Sequence, residues 1–361
     1  MIVRPAPHYL FKEKDMRYLF DIENKDAKGR EFPETDLTVF DSESEAISYY
    51  LNWYKVHGYP MVTLDDYNPR QELQDLKDFD ETALVYHDVI EQSMVGCGFL
   101  WAFFPHWVDV PTYNDKSLSE NWRDEKKLES LIRKTYRFCM EHEGARWSVN
   151  RIRQNAKVYL SKQSVSNFRP SVAKYLYNAY GDCGSVYDPC GGWGGRMFGF
   201  LASNCERYVC CEPSTKSANG LVELSRTFEY LGKRAEVHCE CAEDYVPQEG
   251  AFDMAFTSPP YFNTERYADE ATQSCVKFPT YKEWRNGFLE PMIRNCRHGL
   301  KDGGYLLLNV ANTKTAPKLK CDTVQTAKDN GFKHTGTFEM KLSSIAGKGV
   351  KIEPIFVFEK I

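Results

Sequence analysis

The chain has 361 residues, of which 42% are hydrophobic and 27% are charged, and its formal net charge at pH 7 is −5. These fractions are typical of a soluble globular protein and exclude a disordered or collagen-like chain. No apolar run reaches the roughly 18 residues of a membrane-spanning helix, and the first residues lack the apolar core of a signal peptide. We therefore expect a cytoplasmic protein. The length exceeds that at which a single core stops growing, and we predict a division into residues 1–165 and 166–361.

The twelve cysteines are scattered and form no C-x-x-C pair. Cys239 and Cys241 could be considered as zinc ligands, but a single C-x-C without a matching pair is more often the edge of a strand. We expect free thiols and no metal.

The amino-terminal third is acidic, with a net charge of −12 over residues 1–122. Two segments, Ala46–Tyr54 and Gly98–Phe104, are rich in aromatic residues, which indicates a folded α+β extension with an aromatic core.

Residues 123–174 form a basic block with a net charge of +8. Apolar residues at helical spacing predict a helix over residues 125–138. Further along lie the cations Arg146, Arg151, Arg153 and Lys157, close in sequence to Trp147. Cations interleaved with an aromatic ring suit a groove that follows a phosphate backbone, and we predict nucleic-acid binding by these four residues. The alternatives are a solvated helix face and a core position for Trp147.

From about residue 165 the pattern changes to strands that alternate with helical segments. The predicted strands are Ser185–Asp188, Arg207–Glu212, Ala235–Glu240, Phe252–Thr257, Tyr305–Val310, Phe332–Leu342 and Ile352–Glu359. Such alternation predicts an α/β fold with a doubly wound, mostly parallel seven-stranded sheet, closed by a hairpin of the last two strands. Ligands bind such sheets at the carboxyl ends of the strands.

Three of the predicted strand ends carry candidate site residues. The first strand runs into Asp188-Pro-Cys190-Gly-Gly192-Trp-Gly194, where glycines allow close approach of a ligand. The second ends at Glu212, a carboxylate placed to accept two ribose hydroxyls. The fourth ends in Ser258-Pro259-Pro260-Tyr261, which combines a hydroxyl, two prolines with fixed φ and an aromatic ring.

Together these segments resemble the DNA amino-methyltransferases that use S-adenosylmethionine. The resemblance implies a class I methyltransferase fold, which is Rossmann-like, in residues 166–361. It also implies a cofactor site that contains Arg169, Pro170, Asp188, Cys190, Gly192, Gly194, Glu212 and Glu243, with Asp244 as an alternative to Glu243. Cys190 stands where the family usually has phenylalanine.

The resemblance further implies methyl transfer to the exocyclic amino group of a flipped base in double-stranded DNA. Ser258 and the carbonyl of Pro259 would accept the two amino hydrogens and favour a pyramidal nitrogen. Tyr261 would stack on the base, Phe262 would extend that wall, and Asn263–Gln273 would form a lid.

Serine at the first position of this motif favours cytosine N4 as the target, with adenine N6 as the alternative. An RNA, protein-amide or small-molecule substrate ranks behind both, and a non-catalytic binding module is a further alternative. A cognate restriction nuclease and the oligomeric state stay open at this point.

Overall fold

The computed structural model describes residue 33 and residues 36–91, 93–111, 116–161, 165–180, 184–264, 267, 270–342 and 350–361. The chain divides into two compact units. Unit 1 comprises Met1–Met61 and Lys116–Lys162, and unit 2 comprises Val62–Asp115 and Gln163–Ile361. Among the described residues, no helix combines the length and the apolar character needed to cross a membrane.

Unit 1 is helical in its described part. Its helices are α1 (Glu43–His57), α4 (Leu118–Arg123), α5 (Glu125–Glu141) and α6 (Val149–Tyr159), with a 3₁₀ turn at Leu37–Val39. Each of the four helices begins after a serine or aspartate whose side chain accepts a backbone N–H of the first turn, which satisfies a donor that the helix leaves unpaired. The predicted helix over residues 125–138 is confirmed as part of α5.

The core of unit 1 is aromatic. Tyr50 of α1 stacks on Trp147 at a centroid distance of 3.8 Å, and the ring of Trp122 meets Tyr54 and Tyr59 edge to face. All five rings are buried. Trp147 is therefore a core residue, and the core alternative for this tryptophan is correct.

Unit 2 contains the sheet. Its strands are β1 (Val85–Tyr86), β2 (Val89–Ile90), β3 (Ser185–Asp188), β4 (Arg207–Cys211), β5 (Arg234–His238), β6 (Phe252–Thr257), β7 (Leu300–Asn309), β8 (Phe332–Leu342) and β9 (Lys351–Lys360). Their spatial order within the described residues is β1-β2-β8-β9-β7-β6-β3-β4-β5. Strands β5, β4, β3, β6 and β7 run parallel, and β9 lies antiparallel between β7 and β8.

This order confirms the predicted class I methyltransferase sheet, with seven strands from β3 to β9. The two short strands β1 and β2 extend it beyond β8, where β2 pairs parallel to that strand. The earlier start of β7, at Leu300 instead of Tyr305, is the largest difference between a predicted and an observed strand limit.

Helices cover both faces of the sheet. They are α2 (Pro69–Asp78), α3 (Cys97–Leu100), α7 (Pro170–Ala179), α8 (Gly195–Ala202), α9 (Thr215–Thr227), α10 (Ser274–Lys277), α11 (Tyr281–Trp284), α12 (Glu290–Gly299) and α13 (Leu319–Asp329). Alternate residues of a strand point to opposite faces. Tyr187 accordingly joins the cluster formed with α12 and α13, whereas Tyr208 stacks on Phe200 of α8.

Residues 62–115 belong to unit 2, which differs from the predicted division at residue 165. Lys174 of α7 explains part of this attachment, because its ammonium donates to the carbonyls of Leu76, Lys77 and Phe79 and pairs with Glu81 at 2.7 Å. The aromatic segment Gly98–Phe104 also packs into unit 2, where Phe99 contacts Phe198 and Phe228. A tertiary ion pair and ring packing of this kind leave no local sequence signal.

We expect Lys174→Met to lower the free energy of unfolding by about 3–5 kcal/mol, because it leaves the carboxylate of Glu81 and three carbonyls without their buried partner. Urea denaturation followed by circular dichroism measures the change. Lys328→Met, at an exposed position of α13, is the matched control and should change stability by less than about 0.5 kcal/mol. Equal effects of the two substitutions would contradict the role given to Lys174.

Candidate active site

The glycine loop between β3 and α8 is shaped by left-handed backbone. Gly192 and Gly194 have φ angles of 58° and 79°, a region that residues with a Cβ rarely adopt. A Cβ on Gly195 would lie 2.0 Å from the carbonyl oxygen of Phe168. By contrast, a Cβ on Gly192 would have its nearest neighbour at 3.7 Å. The loop is therefore tight against the preceding segment at Gly195 and more open at Gly192.

Asn167 holds this loop from outside it. Its amide nitrogen donates to the carbonyl of Trp193 at 2.6 Å, and its amide oxygen accepts from the N–H of Gly195 at 2.9 Å. Two bonds from one buried amide fix both ends of the turn. Sequence reasoning assigned Arg169 and Pro170 to the cofactor site but did not identify Asn167, since nothing local links a residue to a loop 26 positions away.

Asp188 is fully buried at the end of β3. It forms an ion pair with Arg196 at 2.7 Å, accepts from the Tyr208 hydroxyl at 2.5 Å and accepts from the N–H of Cys190 at 3.2 Å. These contacts give Asp188 a role in shaping the glycine loop. Direct contact between Asp188 and a cofactor stays a prediction.

Cys190 occupies an apolar position. Its sulfur lies 3.9 Å from the sulfur of Met292 on α12, and the residue packs against the cluster on that face of the sheet. Burial raises the pKa of the Cys190 thiol well above its usual range, the nearby Asp188 charge adds to this, and the Arg196 charge opposes it. Cys190 is thus a neutral thiol, which is unsuited to act as a nucleophile.

Glu212 directly follows β4 and is the second buried carboxylate of the site. One of its oxygens accepts from the N–H of Gly192 and the other from the N–H of Ser214, both at 2.9 Å. Burial raises the pKa of Glu212 to about 7, against the opposing effect of these two hydrogen bonds. Glu212 therefore joins the ends of β3 and β4 and changes charge near neutral pH.

Several buried polar atoms beside the loop have no hydrogen-bond partner within the described part of the chain. They are the Ser214 hydroxyl, the indole nitrogen of Trp193 and the Nε of Arg169. Buried polar groups are normally paired, so unpaired ones next to an open loop fit a polar ligand. Arg169 is the residue before α7, and the buried Pro170 is its first residue.

Residues 97–109 supply an aromatic wall that sequence reasoning assigned elsewhere. The ring of Trp193 contacts Trp101, Phe104 and His106. His106 also hydrogen-bonds the hydroxyl of Ser217 on α9 at 3.0 Å. Burial and the nearby charge of Lys216 lower the pKa of His106 to about 3, so this imidazole is neutral and works as a packing group.

Glu243, predicted to meet an adenine amino group, is paired within the chain. Lys277 contacts Glu243 at 3.0 Å and Asp244 at 2.5 Å. Ligand atoms of Cys241, Glu243 and Asp244 lie within 4.8 Å of one another, but the ammonium of Lys277 already provides the balancing cation. The adenine role of Glu243 stays a prediction.

Ser258 follows β6, which is the parallel neighbour of β3. Tyr187 pairs with Ala255, so continuing both strands in register brings Ser258 to the level of Cys190. The Ser258 hydroxyl donates to the Tyr261 hydroxyl at 3.4 Å. Pro259 is buried, while Ser258, Pro260 and Tyr261 are half-buried. The structure thus brings the predicted catalytic motif beside the glycine loop.

Phe262 was predicted to extend the base-stacking wall, but the structure buries its ring. The residue has a φ of 59°, is 6% exposed and packs edge to face against Tyr281 and Trp284. The left-handed backbone turns its ring into the core, a reversal that the sequence Tyr261-Phe262 does not reveal.

Arg153 was predicted to bind nucleic acid, but the structure uses its guanidinium for contacts within the chain. The residue is 8% exposed, and its guanidinium donates to the carbonyls of Pro60 and Met61 at 2.7 and 2.6 Å. Arg153 therefore attaches α6 to the segment that follows α1.

The other three predicted nucleic-acid contacts differ in exposure. Arg146 is exposed, Arg151 is half-buried with its guanidinium 4.8 Å from the Phe138 ring centre, and Lys157 is half-buried. Within the basic block, Arg133 and Arg137 both pair with Glu43. Internal ion pairs thus neutralise part of the charge that the sequence shows.

The predicted lid, Asn263–Gln273, lies partly outside the described residues, which omit 265–266 and 268–269. In its described part, Glu270 accepts from the N–H and hydroxyl of Thr215 at 3.3 Å, and Thr272 donates to the carbonyl of Pro213 at 3.4 Å. This end of the segment lies against the start of α9, directly after Glu212.

Comparison with known proteins finds no matching family model and no matching curated protein sequence. Similar solved structures include a methyltransferase dependent on S-adenosylmethionine from Methanosarcina mazei, with 14% identity, a TM-score of 0.38 and coverage of 52% of this chain and 97% of that chain. Magnesium protoporphyrin IX methyltransferase from Synechocystis, solved with bound S-adenosylmethionine, has 14% identity, a TM-score of 0.39 and coverage of 53% and 77%. An N-methyltransferase from Bradyrhizobium japonicum has 10% identity, a TM-score of 0.37 and coverage of 53% and 93%. With identities and TM-scores this low, these structures support no assignment of substrate for this chain.

We expect Glu212→Gln to change how stability depends on pH. The pKa of Glu212 is about 7 in the folded chain, above its ordinary value of 4.5, so the folded state binds this proton more tightly than the unfolded state. The protonated Glu212 therefore adds to the free energy of unfolding below pH 4.5, and this contribution is lost as pH rises through 7. Relative to the variant, the wild type should lose roughly 3 kcal/mol of its free energy of unfolding between these two pH values.

Urea denaturation at pH 4, 6 and 8 measures this difference. Glu249→Gln, at an exposed position, is the matched control and should run parallel to the wild type. If the stability of the wild type and of Glu212→Gln changed with pH in the same way, Glu212 would have the same pKa in the folded and the unfolded state.

Proposed function

We propose that this chain is a methyltransferase that carries a methyl group from S-adenosylmethionine to the exocyclic amino group of a base in double-stranded DNA, with cytosine N4 as the first target. The observation that carries the proposal is the placement of Ser258-Pro259-Pro260-Tyr261 at the end of β6, next to the glycine loop at the end of β3. Glu212 follows β4, the other neighbour of β3.

The residues of the glycine loop fit the cofactor. The carboxylate of Glu212 would accept the ribose hydroxyls, the open side of Gly192 would admit the methionine part, and Arg169 with the start of α7 would receive its carboxylate. When bound, S-adenosylmethionine supplies an electrophilic methyl group on a sulfonium.

The chemistry of Ser258 and Pro259 suits an amino group attached to an aromatic ring. The lone pair of such a nitrogen is conjugated with the ring and is poorly available for attack. The Ser258 hydroxyl oxygen and the Pro259 carbonyl can accept its two hydrogens and favour the pyramidal form that precedes methyl transfer. Because proline fixes φ at two successive positions, these acceptors are held in place before the substrate arrives.

A flipped base is the substrate that best uses this arrangement. The half-buried ring of Tyr261 would offer a stacking face to a base that has left its neighbours in the duplex. Serine in the first motif position favours cytosine N4, and adenine N6 is the alternative. In unit 1, Arg146, Arg151 and Lys157 are the proposed phosphate contacts.

Incubation with tritium-labelled S-adenosylmethionine and mixed-sequence duplex DNA, followed by nucleoside digestion and mass spectrometry, tests the proposal. We expect N4-methylcytosine. N6-methyladenine would keep the chemistry and change the base. Absence of label in DNA, with cofactor binding intact, would overturn the DNA assignment, and label in tRNA or in small amines would identify the substrate class instead.

Ser258→Ala should keep the affinity for S-adenosylmethionine and lower kcat by about 10²–10³-fold, because it removes an acceptor that acts on the reacting amino group. Isothermal titration calorimetry and the label-transfer assay measure the two quantities separately. An equal loss of binding and turnover would instead make Ser258 a structural residue.

Glu212→Ala should weaken cofactor binding first. In the wild type, affinity for S-adenosylmethionine should fall as pH decreases through about 7, since the protonated carboxyl can no longer accept both hydroxyls. The same titration at pH 6, 7 and 8 measures this, with Glu249→Gln as the control. An affinity that Glu212→Ala leaves unchanged would refute the ribose assignment.

A further inference from the structure

The Tyr261 hydroxyl lies at the centre of a polar cluster that the sequence motif does not contain. It receives a hydrogen bond from the Ser258 hydroxyl at 3.4 Å. It is itself within donating distance of the Glu353 carboxylate at 3.2 Å and of the side-chain and backbone oxygens of Asn309, both at 3.3 Å. Three acceptors therefore converge on one O–H donor, and Glu353 is the ionisable one among them.

The sheet holds this cluster in place. Asn309 is the last residue of β7, and Glu353 lies near the start of β9, which runs antiparallel to β7. Both residues therefore reach the same edge of the sheet as Ser258. The amide of Asn309 donates to the carbonyl of Pro354 at 3.0 Å, which locks the two strands together beside the tyrosine.

Glu353 is a buried carboxylate with a route to solvent. The residue is 7% exposed, and its second oxygen pairs at 2.6 Å with Lys351, whose side chain is 63% exposed. On the neighbouring strand β8, the residue that pairs with Glu353 is Met340, and the charged residues on either side of Met340 are Glu339 and Lys341. Lys341 forms an ion pair with Glu91. On the other neighbouring strand, β7, Asn309 is uncharged.

We propose that Ser258, Tyr261 and Glu353 form a relay that removes the proton released by methyl transfer, with Glu353 as the terminal acceptor. This inference rests on the proposed function, since it assumes that an amino nitrogen reacts beside Ser258. It assigns roles to Glu353 and Asn309, which lie outside the motif.

The proton balance of the step is complete. Methyl transfer forms a carbon–nitrogen bond, breaks the carbon–sulfur bond of the sulfonium and leaves one excess proton on nitrogen. That proton passes to the Ser258 oxygen, the original hydroxyl proton of Ser258 passes to the Tyr261 oxygen, and the Tyr261 proton passes to Glu353. The carboxyl then loses its proton to water at the Lys351 side. Asn309 positions the Tyr261 hydroxyl but accepts no proton.

A general base that acts through a relay contributes in the range of 10²–10⁴-fold to a rate. We expect Glu353→Gln to lower kcat by about 10²-fold at saturating S-adenosylmethionine while leaving cofactor affinity unchanged. The pH profile of kcat should differ between the wild type and the variant, because the variant lacks the terminal carboxylate of the relay. Glu359→Gln, on the same strand, is the matched control and should leave both quantities unchanged.

A double-mutant cycle separates the relay from a general structural role. Tyr261→Phe should lower kcat, and adding Glu353→Gln to it should have little further effect, because the relay is already broken at its middle member. Additive losses, or a pH profile of Glu353→Gln that matches the wild type, would overturn the relay.

A measurement without substrate keeps the two proposals distinguishable. With ¹³C-labelled glutamate side chains, the NMR signal of the Glu353 carboxyl carbon should move in Tyr261→Phe relative to the wild type, since the variant lacks the O–H group that hydrogen-bonds this carboxylate. An unchanged Glu353 signal would count against the relay. Failure of the wild type to label DNA, with this coupling present, would count against the DNA substrate alone, and the kinetic comparison would then use the tRNA or small amine that accepts label.

Discussion

The buried ion pair between Asp188 and Arg196 is the constraint on which the site depends. Burying two charges is costly unless their geometry and remaining hydrogen bonds are nearly complete. Here the guanidinium donates to Asp188 and to the carbonyl of Cys190, and it lies near the rings of Phe168 and Phe256. One side chain thus joins the segment before α7, the glycine loop and β6. The guanidinium of Arg196 thus attaches the glycine loop to the end of β3.

The two carboxylates at neighbouring strand ends have different surroundings and therefore different uses. Asp188 forms an ion pair with the guanidinium of Arg196 and accepts a hydrogen bond from Tyr208, so its role is structural. Glu212 is buried and accepts hydrogen bonds from the backbone N–H groups of Gly192 and Ser214, and its burial raises its pKa to about 7. The surroundings of each carboxylate, more than its residue type, therefore determine its charge state here.

Sequence patterns predicted the sheet and the placement of its motifs because β3, β4 and β6 are short, largely apolar runs, each followed within two residues by a proline. They failed for residues whose contacts depend on burial in the folded chain. Arg153 and Phe262 have residue types suited to nucleic acid, yet tertiary contacts turn both inward. Sequence reasoning could not find Asn167, whose buried amide contacts the glycine loop. It could not find Glu353 either, which the register of the distant strand β9 brings to Tyr261. Those relations exist only once the chain is folded.

The antiparallel insertion of β9 between β7 and β8 has a consequence for how the protein acquires activity. Strands β7 and β8 both precede β9 in the chain, and they become joined in the sheet only when β9 pairs with both of them. The glycine loop and Glu212 are complete without β9, whereas Tyr261 obtains its carboxylate partner from it. The polar cluster at Tyr261 therefore depends on the entry of β9 into the sheet, whereas the hydrogen bonds of Glu212 and the glycine loop do not.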